Sequence, residues 1–166
     1  MSLDQGPILI GFDGSAASRQ AVAAAAALLK PRAALVLTVW EGALSGVAVS
    51  SPPDVGLTPA ADPASVLAFD DALRGHAERV SEEGAELARS LGLEAEPLAM
   101  VDVRDIARTI VEVARDRQAA TIVVGSRGLS GLRARFEGST SKGVVKHAPC
   151  PVVVVHDTGE EDPGST

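Results

Sequence analysis

Short apolar runs alternate with segments of helical periodicity along most of this chain. The apolar runs, rich in Val, Ile and Leu, are typical of strands buried on both faces of a parallel sheet. They occupy residues 7–12, 34–40, 95–101, 121–124 and 151–156. Strands and helices that alternate in this way predict right-handed crossovers and a parallel sheet with helices on both faces. We therefore expect a single-domain, three-layer α/β/α sandwich.

The helical segments are predicted from apolar spacing and from their end signals. Ser15 or Ser18 can cap a first helix over 19–29, and a long amphipathic helix is predicted over 65–91, closed by Gly92. Asp102 and Asp105 can begin a third helix, and a fourth is predicted over 139–147. Residues 41–63, rich in Gly, Ser, Ala and Pro, are predicted to form a surface loop, with a lid over the ligand end of the sheet as the alternative. We place the domain at residues 5–157 and a flexible acidic tail at 158–166.

Charge and cysteine content exclude several classes of function. The chain of 166 residues has a formal charge of -7, which argues against non-specific binding to nucleic acid or to anionic membranes. One cysteine, Cys150, permits no internal disulfide and no Cys-rich metal site. The first residues lack a signal-peptide pattern, and no run approaches the roughly 20 apolar residues that span a bilayer. We therefore expect a soluble, unexported, cytoplasmic protein.

A glycine-rich loop follows the fourth apolar run and leads into the last predicted helix. Glycines let the backbone approach a ligand closely, and the first turn of a helix offers N–H groups that favour an anion. A strand, a glycine loop and a helix N-terminus together favour a phosphate, although an ordinary surface loop stays open as an alternative. The residues of interest are Gly125, Gly128, Gly138, Ser139 and Thr140, with a cationic group of Arg127, Arg133, Arg135 and Lys142 nearby. Arg133 and Arg135 have an equally good interpretation as solvated loop residues.

The spacing G-x-x-G, nine residues, G-S in this loop resembles the nucleotide-binding motif of the universal stress protein family, in its ATP-binding branch. The segments ILIGFDGSAASRQAV and HAPCPVVVV resemble that family's first and last strands. The resemblance implies a Rossmann-like fold of the adenine nucleotide alpha hydrolase type, with a five-stranded parallel sheet in the order 3-2-1-4-5. Strands one and four are then neighbours, and a ligand is expected at this switch point, beyond the carboxyl ends of the strands.

The resemblance also implies a set of ligand contacts. It places phosphates against Gly128, Gly138, Ser139 and Thr140, with Gly125 and Arg127 beside the nucleotide. Val39 would meet adenine through its backbone, and Asp13 would face the ribose and phosphates. A carboxylate beside phosphates suggests an intervening Mg²⁺ or Mn²⁺, so Asp13 is the predicted metal ligand. The alternative for Asp13 is a turn or helix-capping role. The sequence departs from the family pattern near residues 101–104 and at Ala120, which bears on the pocket wall.

Two functions remain open at this point. The first is a stress-response binding module that holds ATP and changes its partner contacts with nucleotide state, with little or slow hydrolysis. The second is an ATP-cleaving enzyme of the same superfamily, acting in phosphoryl or adenylyl transfer. No Walker-type or G-x-G-x-x-G loop occurs, and no general base with an orienting partner can be named. Residues 139–142 match S-x-x-K without its partner motifs, and Cys150 between two prolines is interpreted as a packed thiol.

The last apolar run predicts an interface. Four consecutive valines, Val152 to Val155, are expected at an edge of the sheet, where unpaired N–H and C=O groups invite another chain. We predict a homodimer formed by antiparallel pairing of this strand, which is how members of the resembling family usually associate.

Overall fold

A computed structural model of the chain describes residues 6–29, 33–42, 63–102, 105–126 and 139–156. These residues form one five-stranded parallel sheet in the order β3-β2-β1-β4-β5, with helices on both faces. The strands are β1 (Ile8–Gly11), β2 (Ala33–Glu41), β3 (Glu94–Asp102), β4 (Thr121–Gly125) and β5 (Val152–Val155). The predicted fold class and strand order are confirmed.

Four helices connect the strands in the described part of the chain: α1 (Ala16–Leu28), α2 (Pro63–Ser90), α3 (Ile106–Asp116) and α4 (Ser139–His147). Ser15, the first of the two predicted caps, is the N-cap of α1 and accepts a hydrogen bond from the Ser18 N–H, so the helix begins at Ala16. Ser18 lies inside the helix and is buried. Helix α3 begins after Asp105, whose side chain accepts from the Ala107 N–H. No described helix is both long enough and apolar enough to cross a bilayer.

Each face of the sheet has its own core. Helices α1 and α2 cover one face, where Ile8, Ile10, Phe12, Val36 and Val123 are buried. Helices α3 and α4 cover the other face, over Leu9, Leu35, Leu37, Ile122 and Val124. Because alternate residues of a strand face opposite sides, continuous apolar strands fill both cores at once.

Two glycines allow close packing in these layers. A Cβ on Gly84 of α2 would lie 2.7 Å from the Phe12 ring and 2.8 Å from Val36, so the helix backbone rests directly on the sheet. A Cβ on Gly143 of α4 would lie 2.8 Å from the Ala107 Cβ of α3. A glycine weakens a helix locally, but Gly84 permits the contact between α2 and the sheet.

The first half of α2 differs from the prediction of a packed amphipathic helix. None of residues 64–76 is buried, and Phe69 is 57% exposed. The apolar spacing in this half therefore marks a stripe that the sheet does not cover. His76, which lies in this half, is exposed.

Candidate functional site

The winding of the connections reverses between β1, the central strand, and its neighbour β4. They pair in parallel with Ile8 opposite Thr121 and Ile10 opposite Val123, while β1 leads outward to β2 and β4 leads outward to β5. Connections that leave neighbouring strands in opposite directions open a crevice beyond the carboxyl ends of those strands, which is where open α/β sheets bind ligands. The candidate site is this crevice, with Asp13 following β1 and Gly125 ending β4.

The turn from β1 into α1 is a tight, internally bonded structure. The Asp13 Oδ1 atom accepts a hydrogen bond from the Ser15 N–H at 3.0 Å, and the Ser15 Oγ atom accepts one from the Ser18 N–H at 3.1 Å. Gly14 between them has φ +78°, a conformation that a side chain would strain. Asp13 therefore stabilises the turn before α1, because one of its carboxylate oxygens accepts the hydrogen bond from Ser15. Its carboxylate is half-buried at the crevice.

Gly125 brings the two sides of the crevice into direct contact. A Cβ at this position would lie 2.9 Å from the backbone carbonyl carbon and oxygen of Ala17, in the first turn of α1. This spacing leaves no room for a side chain, so packing alone requires glycine here. The end of β4 and the start of α1 consequently lie side by side.

Strand β2 extends beyond β1 and leaves part of its backbone over the crevice. Strand β1 ends at Gly11. The next residue, Phe12, donates its N–H to the Leu37 C=O of β2 at 2.8 Å. Backbone groups of alternate residues point the same way, so Val39, two residues after Leu37, directs its N–H and C=O towards the space beyond β1. The Val39 side chain is buried and packs in the core beneath α3 and α4. Trp40, half-buried, follows it.

A side-chain hydrogen bond fixes this overhanging segment. The Thr38 Oγ1 atom donates to the Phe12 C=O at 2.8 Å, and Thr38 is buried. The Phe12 C=O, just after β1, is therefore satisfied by the Thr38 side chain. This bond holds the β2 backbone beside the end of β1. Sequence reasoning did not identify Thr38, because its role depends on the strand register.

The other wall is the start of α4. Ser139 is the first residue of the helix, Thr140 is half-buried, and Lys142 in the same turn is exposed and makes no ion pair with another described residue. Three of the predicted ligand residues, Arg127, Gly128 and Gly138, lie outside the described residues, as do Arg133, Arg135 and the predicted tail. Of the predicted surface loop at 41–63, residues 43–62 lie outside them, while Glu41 ends β2 and Pro63 begins α2. The predicted ligand residues that the structure describes lie near the carboxyl ends of β1, β2 and β4 or at the start of the helix that follows β4: Asp13, Val39, Gly125, Ser139 and Thr140.

The remaining candidate groups carry no nucleophile or metal cluster in the described ranges. Burial raises the pKa of the Cys150 thiol, whereas a nucleophilic cysteine needs a lowered pKa. Its interpretation as a packed thiol is consistent with this shift. Among these ranges, no group of three or more His, Cys, Asp or Glu side chains is placed to hold a metal ion. A cation at Asp13 would therefore need ligands from a bound phosphate and water.

This strand order, with a crevice beyond β1 and β4, defines a doubly wound α/β domain of the kind that binds ligands at its switch point. The model of the universal stress protein family matches residues 6–156. A universal stress protein of Thermus aquaticus is 31% identical over 148 residues, which cover 89% of this chain and 96% of that protein. Universal stress protein YxiE of Bacillus subtilis is 30% identical over 152 residues, covering 89% and 97%. The chain belongs to the universal stress protein family.

Solved structures show the same fold. The universal stress protein UspA of Lactobacillus plantarum has a TM-score of 0.65 at 24% identity, covering 90% of this chain and 97% of that one. A universal stress protein family protein of Arabidopsis thaliana, solved with AMP bound, has a TM-score of 0.60 at 18% identity, covering 96% and 97%. The universal stress protein of Archaeoglobus fulgidus, solved in complex with dAMP, has a TM-score of 0.55 at 20% identity, covering 90% and 97%.

Proposed function

We propose that this chain binds ATP in the crevice beyond β1 and β4 and acts as a nucleotide-dependent regulator of the stress response in the cytoplasm. Phosphates would lie against Gly128, Gly138, Ser139 and Thr140, beside Gly125 and Arg127. The adenine ring would meet the Val39 backbone, and the ribose and phosphates would face Asp13.

The main observation behind this proposal is that β2 extends beyond the end of β1. The backbone N–H and C=O of Val39 therefore point towards the crevice. Adenine presents one donor and one acceptor along an edge, which such a backbone pair matches. The opposite wall begins with the N-terminal turn of α4, whose N–H groups favour an anion. Family relatives solved with AMP and dAMP support an adenine nucleotide as the ligand class.

The residues fit a divalent cation of the kind that accompanies ATP. Mg²⁺ in nucleotide sites is held by one or two protein carboxylates, by phosphate oxygens and by water. Asp13 supplies one such carboxylate at the end of β1, and the Ser15 N–H fixes its orientation through one oxygen. Bound Mg²⁺ or Mn²⁺ would neutralise phosphate charge beside this carboxylate, and Asp13 would hold the cation against the β1 side of the crevice.

The described residues favour binding over turnover. A general base needs a side chain within hydrogen-bond reach of the attacking water and a second group to orient it. In the described part of the crevice, one Asp13 oxygen bonds to the Ser15 N–H and the carboxylate is proposed to hold the cation, while Ser15 caps α1. We therefore infer that hydrolysis is slow and that the nucleotide acts by changing partner contacts.

The edge strand β5 supports a homodimer as the assembled form. The Ile122 N–H donates to the Pro151 C=O and the Ser126 N–H to the Val155 C=O, so the odd-numbered residues of β5 face β4. Val152 and Val154 consequently direct their backbone groups away from the sheet. Two copies related by a two-fold axis could pair these groups in antiparallel fashion.

The test of the site is a Gly138→Val variant titrated with Mg²⁺ and ATP, with the single tryptophan, Trp40, as the fluorescent reporter. A branched side chain where phosphate should lie is expected to weaken binding at least about 100-fold. Gly75→Val is the matched control, because a Cβ at Gly75 meets only the end of the Arg79 side chain, at 3.7 Å. Unchanged affinity in a folded Gly138→Val protein would overturn the site.

The same titration distinguishes nucleotides and detects turnover. Wild-type protein is titrated in parallel with ATP, ADP and AMP, and each mixture is assayed for product over several hours. We expect ATP to bind without appreciable loss. Rapid release of ADP or AMP would instead support the ATP-cleaving enzyme, and a lack of binding by all three nucleotides would contradict the proposal.

Asp13→Asn tests the metal assignment separately from the turn. An amide oxygen can still accept the Ser15 N–H, so the turn survives while the negative charge is lost. We expect affinity for ATP with Mg²⁺ to fall about tenfold and affinity for ATP in EDTA to stay equal or rise. If both affinities change together, Asp13 holds no cation and serves the turn alone.

A further inference from the structure

Strand β3 is the other edge of the sheet, and its free backbone groups can be assigned. The Leu37 C=O of β2 bonds to the β1 side, so the even-numbered residues of β2 face β3. Val36 lies opposite Pro97. In a parallel ladder the backbone groups of Val36 then bond to the two neighbours of Pro97, which are Glu96 and Leu98. The odd-numbered residues of β3 therefore direct their backbone groups outward, away from β2.

Half of this outer edge is closed. Pro97 has no N–H to offer, and the Ala95 C=O accepts a hydrogen bond from the Arg89 Nε atom at 2.9 Å. The remaining outward positions are Ala99 and Val101, in the part of β3 that leads to the carboxyl end. Met100 and Val101 are 37% and 43% exposed there, so apolar side chains accompany the free backbone groups.

A groove lies between this edge and helix α3. It contains a cavity of about 380 Å³ at the carboxyl end of β3, bounded by Met100 and by the Thr109, Glu112 and Asp116 face of α3. A second cavity of about 520 Å³ lies at the amino end of the same strand, beside Glu94 and Glu96. The two cavities share no lining residue, and the second is also bordered by Pro7, Ala33 and Arg117, so they flank β3 at its two ends.

Carboxylates dominate the lining of the groove. Six carboxylates and three guanidinium groups border the two cavities. Two of the cations are engaged, since Arg89 bonds to Glu82 and Arg108 bonds to Glu112 at 2.9 Å. Glu94, Glu96 and Asp116 make no ion pair with another residue of the described ranges. Arg117, in the cavity with Glu94 and Glu96, also makes no ion pair with a described residue, so three unpaired carboxylates stand against one unpaired guanidinium. A ligand along β3 thus meets net negative charge beside apolar surface.

We propose that this groove binds an extended, basic segment of a partner protein, which adds a short strand to β3. Its backbone would pair with Ala99 and Val101, an apolar side chain would contact Met100, and Lys or Arg side chains would lie near Glu96 and Asp116. Strand addition gives affinity through main-chain hydrogen bonds, and the side-chain pockets give specificity. This inference does not depend on nucleotide binding, because the groove uses none of the residues proposed to contact ATP.

The probe for the test is an acetylated and amidated peptide of alternating lysine and valine, seven residues long, followed by amide chemical shifts of the full chain. We expect shifts confined to residues 94–102 and 109–116, with weakening as salt is raised, because exposed charges are screened. Ala99→Pro removes an outward N–H without touching the bonds to β2 and should weaken binding at least tenfold. Ala99→Ser keeps that N–H and should bind as wild type does.

A charge-matched pair of double variants separates the groove from the overall acidity of the protein. Glu96→Gln with Asp116→Asn should weaken peptide binding about three- to tenfold. Asp71→Asn with Glu86→Gln removes two charges from exposed positions on α2 and should have no effect. Equal losses in both double variants would show non-specific attraction and overturn the proposal.

Three further outcomes would also overturn it. One is peptide binding that Ala99→Pro leaves unchanged, and another is an absence of shifts at millimolar peptide. The third is a set of shifts at β3 that depend on protein concentration without any peptide, which would assign the groove to a second copy of this chain. A nucleotide titration of Ala99→Pro that matches wild type would show that any loss of peptide binding is not a loss of the crevice.

Discussion

The two edges of the sheet are built in opposite ways. Strand β5 has four residues, all valine, with no charge or proline among them, and each valine is half-buried. Strand β3 has nine residues, with Glu94 and Glu96 near its start, Pro97 at its fourth position and Arg89 bonded to its backbone. Charges, prolines and covering side chains are the usual means by which proteins prevent edge-to-edge association. By this measure β5 is open along its whole length, and β3 is open only near Ala99 and Val101.

The difference bears on the kind of partner that each edge accepts. Val153 and Val155 pack on the α1 and α2 side of the sheet, while Val152 and Val154 pack on the α3 and α4 side. A short, neutral, symmetric edge favours a second copy of itself. The acidic surroundings of β3 instead repel a second copy and favour a basic chain.

The largest effect is expected from Val154→Pro, which tests the proposed dimer. The substitution removes an N–H that points away from β4, so the bonds between β4 and β5 are kept and the fold should survive. Because both copies of a two-fold dimer carry the substitution, two backbone hydrogen bonds are lost, and we expect dimerisation to weaken about 10- to 100-fold. Sedimentation equilibrium across a micromolar concentration series measures this directly.

The control for that variant is Val154→Thr, which keeps both the β-branch and the N–H and should remain dimeric. If Val154→Pro is as dimeric as wild type, the copies associate through another surface, and β5 is not the edge that accepts a second copy. If wild-type protein is a monomer at micromolar concentration, the proposed dimer is wrong.

A smaller effect is expected from opening β3 in the Val154→Pro background. Pro97→Thr restores an outward N–H, and Arg89→Leu uncovers the Ala95 C=O. We expect this protein to self-associate weakly through β3, as a rise in average mass only near 100 µM or above, since the carboxylates along the groove still repel a second copy. Added salt should strengthen the association by screening that repulsion. If the triple variant stays monomeric in high salt, Pro97 and Arg89 are not what keeps this edge apart.

The fold was predictable from the sequence because the apolar runs are continuous and each is bounded by clear end signals. All five strands lie within about one residue of the predicted runs, and α4 begins and ends as predicted. The start of α1 was left open between two residues, since Ser15 and Ser18 are both good caps and only the backbone shows that Ser15 precedes the helix. Nothing in the local pattern distinguishes a capping serine from one that is buried in the first turn.

The candidate site was predictable to a lesser degree. Asp13 and Gly125 were located at the ends of the correct strands, but their packing reasons, the Ser15 N–H and the Ala17 backbone, depend on how α1 meets β4. The orientation of the Val39 backbone depends on strand register, which apolar runs do not specify. The ligand roles of Arg127, Gly128 and Gly138 stay predictions.

Helix α2 has a consequence for how the molecule opens. Its second half is held to the sheet by Ala77, Ala85 and Ala88, all buried, and by the glycine contact with Phe12. None of residues 64–76 is buried, so this half lacks the core contacts that hold the second half. A single continuous helix therefore contains two units of very different cooperativity. Its amide hydrogens should exchange with solvent at two rates. Exchange should be fast before residue 77, and after it about as slow as global unfolding of the protein allows.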